Sequence, residues 1–238
     1  RFEIYIIDLI CGENQSSFLA QDGAREYPKS PWRVQYGTLI TVIHKDGTGE
    51  SYCLDNIKLD DRYYFIRSIL GTDDNGSMYL YLSHYYYKIG YEPDYCLGTY
   101  DEVNGFRMLG ELPDPCSNKK GCYIGGKLYF SDFSRPERNS EYDRHVIVNT
   151  SKTVYIVDIN NLTDYSFITL EHYVKGFNVR DNETGFVFGL NDSDSFILRS
   201  LQDDKRTKEA DLSELIDLAT NVNLYAAVSD DENVMYVT

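Results

Sequence analysis

The apolar residues of this chain fall in short runs of strand length that alternate in and out, each closed off by Gly, Asn, Asp or Ser. One unit recurs, a polar turn followed by a strand centred on an aromatic. It reads Asn75-Gly76-Ser77-Met78-Tyr79-Leu80, then Gly125-Gly126-Lys127-Leu128-Tyr129-Phe130. It returns as Glu183-Thr184-Gly185-Phe186-Val187-Phe188 and as Glu232-Asn233-Val234-Met235-Tyr236-Val237. Tyr79 to Tyr129 is 50 residues and Val187 to Tyr236 is 49, while the middle interval of 58 carries an insertion near 135–143. A period of about 45–50 residues matches a four-stranded propeller blade.

A second repeat is sharper. Ile4-Tyr5-Ile6-Ile7-Asp8-Leu9 is echoed by Val154-Tyr155-Ile156-Val157-Asp158-Ile159, and Ser17-Phe18-Leu19 by Ser166-Phe167-Ile168. Both copies read as a third strand leading into an outer fourth. Residues 63–70, 78–82, 94–100 and 106–109 form one expected blade, and 122–124, 128–130, 154–158 and 166–170 the next. Segments 177–180, 186–189 and 196–200 begin another, and 38–44 with 51–54 form a hairpin in a shorter blade. The one helical pattern is 211–218, where Asp211 or Ser213 caps and Leu212, Leu215 and Ile216 share a face. The reading is a single all-β domain over 1–238 with a short helical insertion near 205–220. At the C-terminus, 223–229 and 234–237 read as the first two strands of a blade that the N-terminal strands complete. That closure leaves no blade with a bare inner edge.

The segment Ala227-Val228-Ser229-Asp230-Asp231-Glu232-Asn233-Val234-Met235-Tyr236-Val237-Thr238 resembles the strand–acidic turn–strand unit of YVTN-type β-propellers, and residues 152–158 resemble their third strand. The resemblance implies a β-propeller and no particular activity. Blade lengths are uneven and no Trp-Asp signature occurs. Five four-stranded blades closed across the termini is the preferred count, with four, six or a fragment of a larger ring as variants. A Greek-key sandwich is the competing architecture.

Composition adds 22 Tyr and 11 Phe against one Trp, an aromatic content that suits half-buried pleated surfaces. With 23 basic and 38 acidic residues the net charge is −15, which disfavours nucleic acid and anionic membrane surfaces as partners. No run reaches the ~18 apolar residues of a membrane span, and no membrane insertion is expected. The chain starts at Arg1 and its first Met is Met78, which reads as a boundary left by processing or excision. Five cysteines give no complete disulfide set, although Cys116 and Cys122 flank a turn-rich segment that a bridge between them would close. Six Asn-x-Ser/Thr acceptors, at Asn14, Asn75, Asn149, Asn161, Asn182 and Asn191, point to a secreted or lumenal glycoprotein.

Enzyme signatures are sparse. Gly121-Cys122-Tyr123-Ile124-Gly125-Gly126-Lys127 has the spacing of a phosphate loop, but Leu128 replaces the magnesium-binding Ser/Thr and a strand follows in place of a helix. No Gly-x-Ser-x-Gly elbow and no paired-His zinc spacing occur, so no catalytic residue, metal or cofactor is assigned. Asp8 and Asp158 recur at equivalent positions, which marks a turn-stabilising carboxylate more than a catalytic one. In a propeller the second-to-third-strand connections gather on one rim; here they are 83–93, 131–148 and 190–195. The first supplies His84, Tyr85, Tyr86 and Tyr91, and the second Asp132, Phe133, Arg135 and Arg138. Tyr and Arg bring large, stiff contact area with polar ends. The expected function is non-catalytic recognition of a protein partner through that rim, with a glycan as the lesser possibility. The alternatives are a secreted carbohydrate-active hydrolase with a carboxylate pair in the funnel, or a glycan-binding lectin.

Overall fold

Alternating apolar residues and Gly-rich turns leave the backbone one economical way to satisfy its polar groups, pairing each strand with the one before it. A computed structural model describes residues 4–11, 17–26, 34–43, 49–55, 57–59, 62–84, 94–101, 103–132, 136–139, 144–147, 151–180, 183–193, 195–202 and 206–211. The chain divides into two compact units, Arg1–Ser117 and Asn118–Thr238. Among the described residues all elements are β-strands except one 3-10 turn at Asp114–Cys116, and no helix is long and apolar enough to cross a membrane.

Unit 1 holds two antiparallel sheets. The first runs in chain order through β1 (Ile4–Cys11), β2 (Ser17–Glu26), β3 (Val34–Ile43) and β4 (Gly49–Asp55). Here the structure corrects the blade boundaries read from sequence. The expected outer strand β2 is hydrogen-bonded on both edges, to β1 and, from Ser17↔Ile43 to Glu26↔Val34, to β3. Residues 38–43 and 51–54 therefore share a sheet with the N-terminal strands, and residue 44 lies outside the described residues. A short link between long consecutive strands favours the local hairpin. The second sheet is β5 (Ile57–Leu59), β6 (Arg62–Thr72), β7 (Met78–His84), β8 (Tyr95–Asp101) and β9 (Gly105–Glu111), again in chain order. One face gathers Tyr64, Ile66, Ile69, Met78, Leu80, Leu82, Cys96 and Tyr100 into an apolar cluster, with Phe106 and Met108 against it.

Unit 2 holds β10 (Lys120–Ile124), β11 (Lys127–Ser131), β14 (Thr153–Asp158) and β15 (Asn161–Thr169) as one four-stranded sheet. Between β11 and β14 the chain forms a separate two-stranded ribbon, β12 (Pro136–Asn139) with β13 (Arg144–Ile147). A third sheet is β16 (Tyr173–Val179), β17 (Gly185–Leu190), β18 (Ser195–Ser200) and β19 (Arg206–Asp211). Each four-stranded sheet is an antiparallel meander of the kind that makes a propeller blade. The two sheets of unit 2 pack face to face through Cys122, Ile124, Tyr129 and Val154 on one side and Val174 and Val187 on the other. The expected helical insertion near 205–220 is corrected over its first part: residues 206–211 are the fourth strand of this sheet, paired with β18 from Ser195↔Asp211 to Arg199↔Arg206. The rest of that insertion and the C-terminal strands expected at 223–229 and 234–237 lie outside the described residues.

The sharper sequence repeat has a structural counterpart. β1 slips register between Ile6 and Asp8, and β14 slips between Ile156 and Asp158. In β1 the extra residue is Ile7, whereas at β14 the extra residues are on its partner, where 162–165 stand opposite Val157. Val154 and Val157 lie on opposite faces of β14 and are both fully buried, and Leu128, Tyr129 and Phe130 on the neighbouring β11 are buried as well, so this part of the sheet is covered on both faces. Asp158 closes the same strand as a turn carboxylate, its Oδ1 accepting from the Asn160 backbone N–H at 2.8 Å and from Asn160 Nδ2 at 3.1 Å. Glycine and phenylalanine also recur as cross-strand partners. Gly121 faces Phe130 and Gly176 faces Phe188, with the ring lying over the glycine in both pairs.

The disulfide expected between Cys116 and Cys122 is not formed; both are buried thiols. Each is held by its own unit. The Cys116 carbonyl accepts from the buried Tyr81 hydroxyl at 2.8 Å, while the Cys122 side chain belongs to the cluster with Ile124 and Tyr129. Burial pushes the Cys122 thiol far above its ordinary range, so it stays protonated and inert.

Candidate functional site

In an antiparallel meander successive connections alternate between the two ends of the sheet. The β10–β11 turn at Gly125 and Gly126 and the β14–β15 turn at Ile159 and Asn160 share one end, so the long β11–β14 connection leaves from the other. The sequence builds a firm neck for it. Ser131, the last residue of β11, is fully buried, and its hydroxyl donates to the carbonyl of Thr153, the first residue of β14, at 2.8 Å. Next to it, Lys119 Nζ lies 2.6 Å from Asp132 Oδ2 and 5.4 Å from the centre of the Tyr155 ring. The Lys119 side chain is only 12% exposed, so this pair is less screened than an open surface pair.

The far limb of the connection is tied to the neighbouring sheet of the same unit. The Val174 N–H of β16 donates to the Ser151 carbonyl at 2.9 Å, while the Leu170 N–H, just past β15, extends the β14–β15 ladder to the Lys152 carbonyl at 2.7 Å. Lys152 Nζ reaches Asp192 Oδ2 at 3.0 Å and sits 4.4 Å above the Tyr173 ring. Asp192 belongs to the β17–β18 turn, where Asn191 Oδ1 accepts the backbone N–H groups of Ser193 and Ser195, each at 2.9 Å. The two second-to-third-strand connections of unit 2 thus lie on one face and are held together by an ion pair.

Of the residues singled out from sequence, Asp132 stands at the foot of this connection, 46% exposed and paired with Lys119. Arg138 lies on β12 opposite His145. Phe133 and Arg135 lie outside the described residues, as do Tyr85, Tyr86 and Tyr91. In unit 1, His84 ends β7 with its ring buried, 5.4 Å from that of Tyr64, and its backbone N–H donates to the Asp94 carbonyl at 2.9 Å. It therefore closes the neck of the 85–93 connection and does not present its ring to a partner. Among the acceptor asparagines, Asn75 and Asn161 are exposed and Asn191 is half-buried; Asn14, Asn149 and Asn182 lie outside the described residues. Lys119, Lys152 and Tyr173 are additions that the sequence reading lacked. No periodicity marks them, because each works through a partner distant in sequence.

The chemistry of this face is that of fixed charges. The Lys152 ammonium, by hydrogen bond and by charge, and the Tyr173 hydroxyl hold the Asp192 carboxyl below its ordinary range. Asp101, on the last residue of β8, is lowered by the backbone and side chain of Asn104 and by the Val103 N–H. Both shifts run opposite to the raised carboxyl that a glycosidase uses as its acid. A cleft of about 240 Å³ beside the β17–β18 turn is lined by Glu171, Asn191, Asp192, Ser193 and Ile197. It is smaller than the ~300–1,000 Å³ usual for a small-molecule site. No group of three or more His, Cys, Asp and Glu is placed to hold a metal among the described residues. One consequence is direct. The Asp192 carboxyl should titrate at lower pH than a free aspartate and move back up in Lys152→Met, read by carbon NMR. The pair's stabilisation is then present at neutral pH and is lost as pH falls through the lowered value.

No protein-family model matches the chain, and no curated protein matches it. Among solved structures, AztD from Citrobacter koseri aligns with a TM-score of 0.43 at 9% identity, covering 98% of this chain and 80% of that one. Its apo form gives 0.43 at 10% identity with the same coverage. The dihydro-heme d1 dehydrogenase NirN, in complex with DHE, gives 0.36 at 6% identity, covering 96% of this chain and 60% of that one. Likeness this slight carries no argument about the chain.

Proposed function

We propose that the chain is a non-catalytic recognition domain whose meanders are blades of a closed propeller of about five, and that it binds a protein partner through its second-to-third-strand connections. The observation that supports this reading is the β11–β14 connection. It runs over residues 132–152, whereas β17 and β18 are joined by only 191–194. Most connections in compact domains run to about 4–6 residues, so this one adds an extra element to its sheet, and binding residues are disproportionately carried on such connections. This one begins at Asp132 locked to Lys119, ends at Lys152 locked to Asp192, and carries a ribbon bearing Arg138 between them. A paired ribbon whose two ends are tied by ion pairs loses less conformational freedom on binding than an unpaired loop, which favours recognition.

The net charge of −15 favours a basic or neutral partner over nucleic acid or an anionic membrane surface. The reading also places the chain in a secreted or lumenal compartment. The test is affinity capture from the native source with the intact chain and with a folded variant whose residues 133–150 are replaced by a short Gly-Ser linker. Partners recovered by the intact chain should be lost from the variant. Equal recovery of the same partners by both rejects the ribbon as the recognition element.

A further inference from the structure

Among the strands whose burial is described, β15 is the most exposed. It is exposed along nearly its whole length, and it carries Phe167 at 62% exposure and Tyr165 at 43%. The ladder to β14 passes from Ser166 to Asn161, so residues 162–165 bulge out of it, and Asn161 and Tyr165 line one cleft. Tyr155 links the two exposed aromatics, as the cross-strand partner of Phe167 and as the ring that meets Tyr165 edge-on at 6.1 Å. Folded proteins seldom leave neighbouring aromatics bare in water.

The same cleft is lined by an N-glycan acceptor, Asn161 of Asn161-Leu162-Thr163. Its two functional residues are already in register. The Thr163 hydroxyl donates to Asn161 Oδ1 at 2.9 Å, while Asn161 Nδ2 donates to no described group. The cleft, of about 190 Å³, is walled by Asp158, Asp164 and Tyr165 among others. The other acceptors with described surroundings differ. Asn191 has its Oδ1 held by two backbone N–H groups, and Asn75 sits on a hairpin turn before Gly76 at φ 80°.

We propose that Asn161 carries an N-linked glycan that runs along β15 and covers Tyr165 and Phe167. In the transfer, Asn161 Nδ2 attacks C1 of a lipid-diphosphate-linked oligosaccharide. An N–C1 bond forms, the C1–O bond to the diphosphate breaks, the lipid diphosphate leaves, and the amide gives up one proton to the transferase's base. Tyr165 lines the same cleft as the acceptor, and Phe167 follows two residues later beside Tyr155. Both are within reach of a branched glycan, whose pyranose rings offer apolar faces to the aromatics and hydroxyls to Asp158 and Asp164. The acceptor stands at the end of the sheet opposite the β11–β14 connection, so this inference rests on the secreted or lumenal compartment of the reading above and not on its recognition element.

The test is expression of the full chain through a eukaryotic secretory route with glycopeptide mass spectrometry. The peptide containing Asn161 should carry a hexosamine-based glycan, and Asn161→Gln or Thr163→Ala should each remove one mobility step on a gel. Enzymatic removal of the glycan should raise the fluorescence of an apolar surface dye, and Phe167→Ser should abolish that rise. An unmodified Asn161 peptide in the secreted, folded chain overturns the acceptor assignment. A glycosylated Asn161 whose removal leaves dye binding unchanged overturns the covering of Tyr165 and Phe167.

Discussion

Phe130→Ala is expected to destabilise the chain by about 3–5 kcal/mol, the range for truncating a buried aromatic. Phe130 is fully buried on β11, and its ring lies over Gly121 on β10, its cross-strand partner. At about 2–4 °C per kcal/mol for a chain of this size, the midpoint of thermal unfolding should fall by about 6–20 °C. Gly121→Ala is expected to cost about 1–3 kcal/mol for the opposite reason, since its new methyl meets the Phe130 ring and the Tyr129 carbonyl. The double variant is the sharper measurement. With the ring gone, the methyl enters space that is already vacated, so the two losses together should fall short of their sum. Strictly additive losses in urea unfolding would show that the ring and the glycine are not packed against each other.

That pair also shows what the sequence disclosed and what it concealed. Strands buried on at least one face announce themselves: β7 and β17 are buried at every position and read directly as Met78-Tyr79-Leu80 and Phe186-Val187-Phe188. Outer strands do not. β19, Arg206-Thr207-Lys208-Glu209-Ala210-Asp211, has no apolar alternation, so the nearby spacing of Leu212, Leu215 and Ile216 drew the reading toward a helix. The start of β15 was hidden for the same reason, because Asn161, Thr163 and Asp164 are all exposed. The ribbon was hidden by Pro136, which reads as a breaker yet is tolerated as the first residue of a strand. Partner choice was least legible. The kinship of Ile4-Tyr5-Ile6-Ile7-Asp8 with Val154-Tyr155-Ile156-Val157-Asp158 extends to a register shift at the matching place, but nothing within either strand says which neighbour takes its free edge.

The candidate face was legible as a location and not as chemistry. Counting strands placed long connections at 83–93 and 131–148, and the structure puts both between second and third strands once the three-residue β5 is set aside. The residues that hold the face together come from outside those connections or at their margins. Lys119 precedes β10, Lys152 precedes β14, and Tyr173 opens β16. Each gains its role from a contact across tens of residues, as Lys152 does with Asp192. Turn carboxylates are the counterexample. The recurrence of Asp158 pointed to a backbone-capping role, and its bonds to Asn160 are of that kind because they are local.

The second large effect is expected at Gly189→Ala. Gly189 lies on β17 opposite Val174 and Ile197, and a Cβ there would run into the carbonyl group of Tyr173, whose carbon would be 2.8 Å away, and the His172 ring at 2.9 Å. A flexible side chain would yield to a methyl group, but a backbone carbonyl inside a paired sheet cannot do so without dragging its strand. The cost should therefore reach about 3 kcal/mol or more, the upper end for overpacking. Gly126→Ala is the control: its φ of 78° costs an L-residue about 1–2 kcal/mol, yet open space surrounds it. Local consequences should separate the two further. Tyr173 carries the ring under Lys152, so displacing its backbone should loosen the Lys152–Asp192 pair and let the Asp192 carboxyl drift back toward its ordinary range. Gly126, at the far end of the neighbouring sheet, should leave that titration where it was. Should Gly189→Ala unfold no earlier in urea than the control and keep Asp192 depressed, the close approach of β16 to β17 would not be a fixed feature of the sheet, and the rigid base assigned to the recognition face would lose its footing.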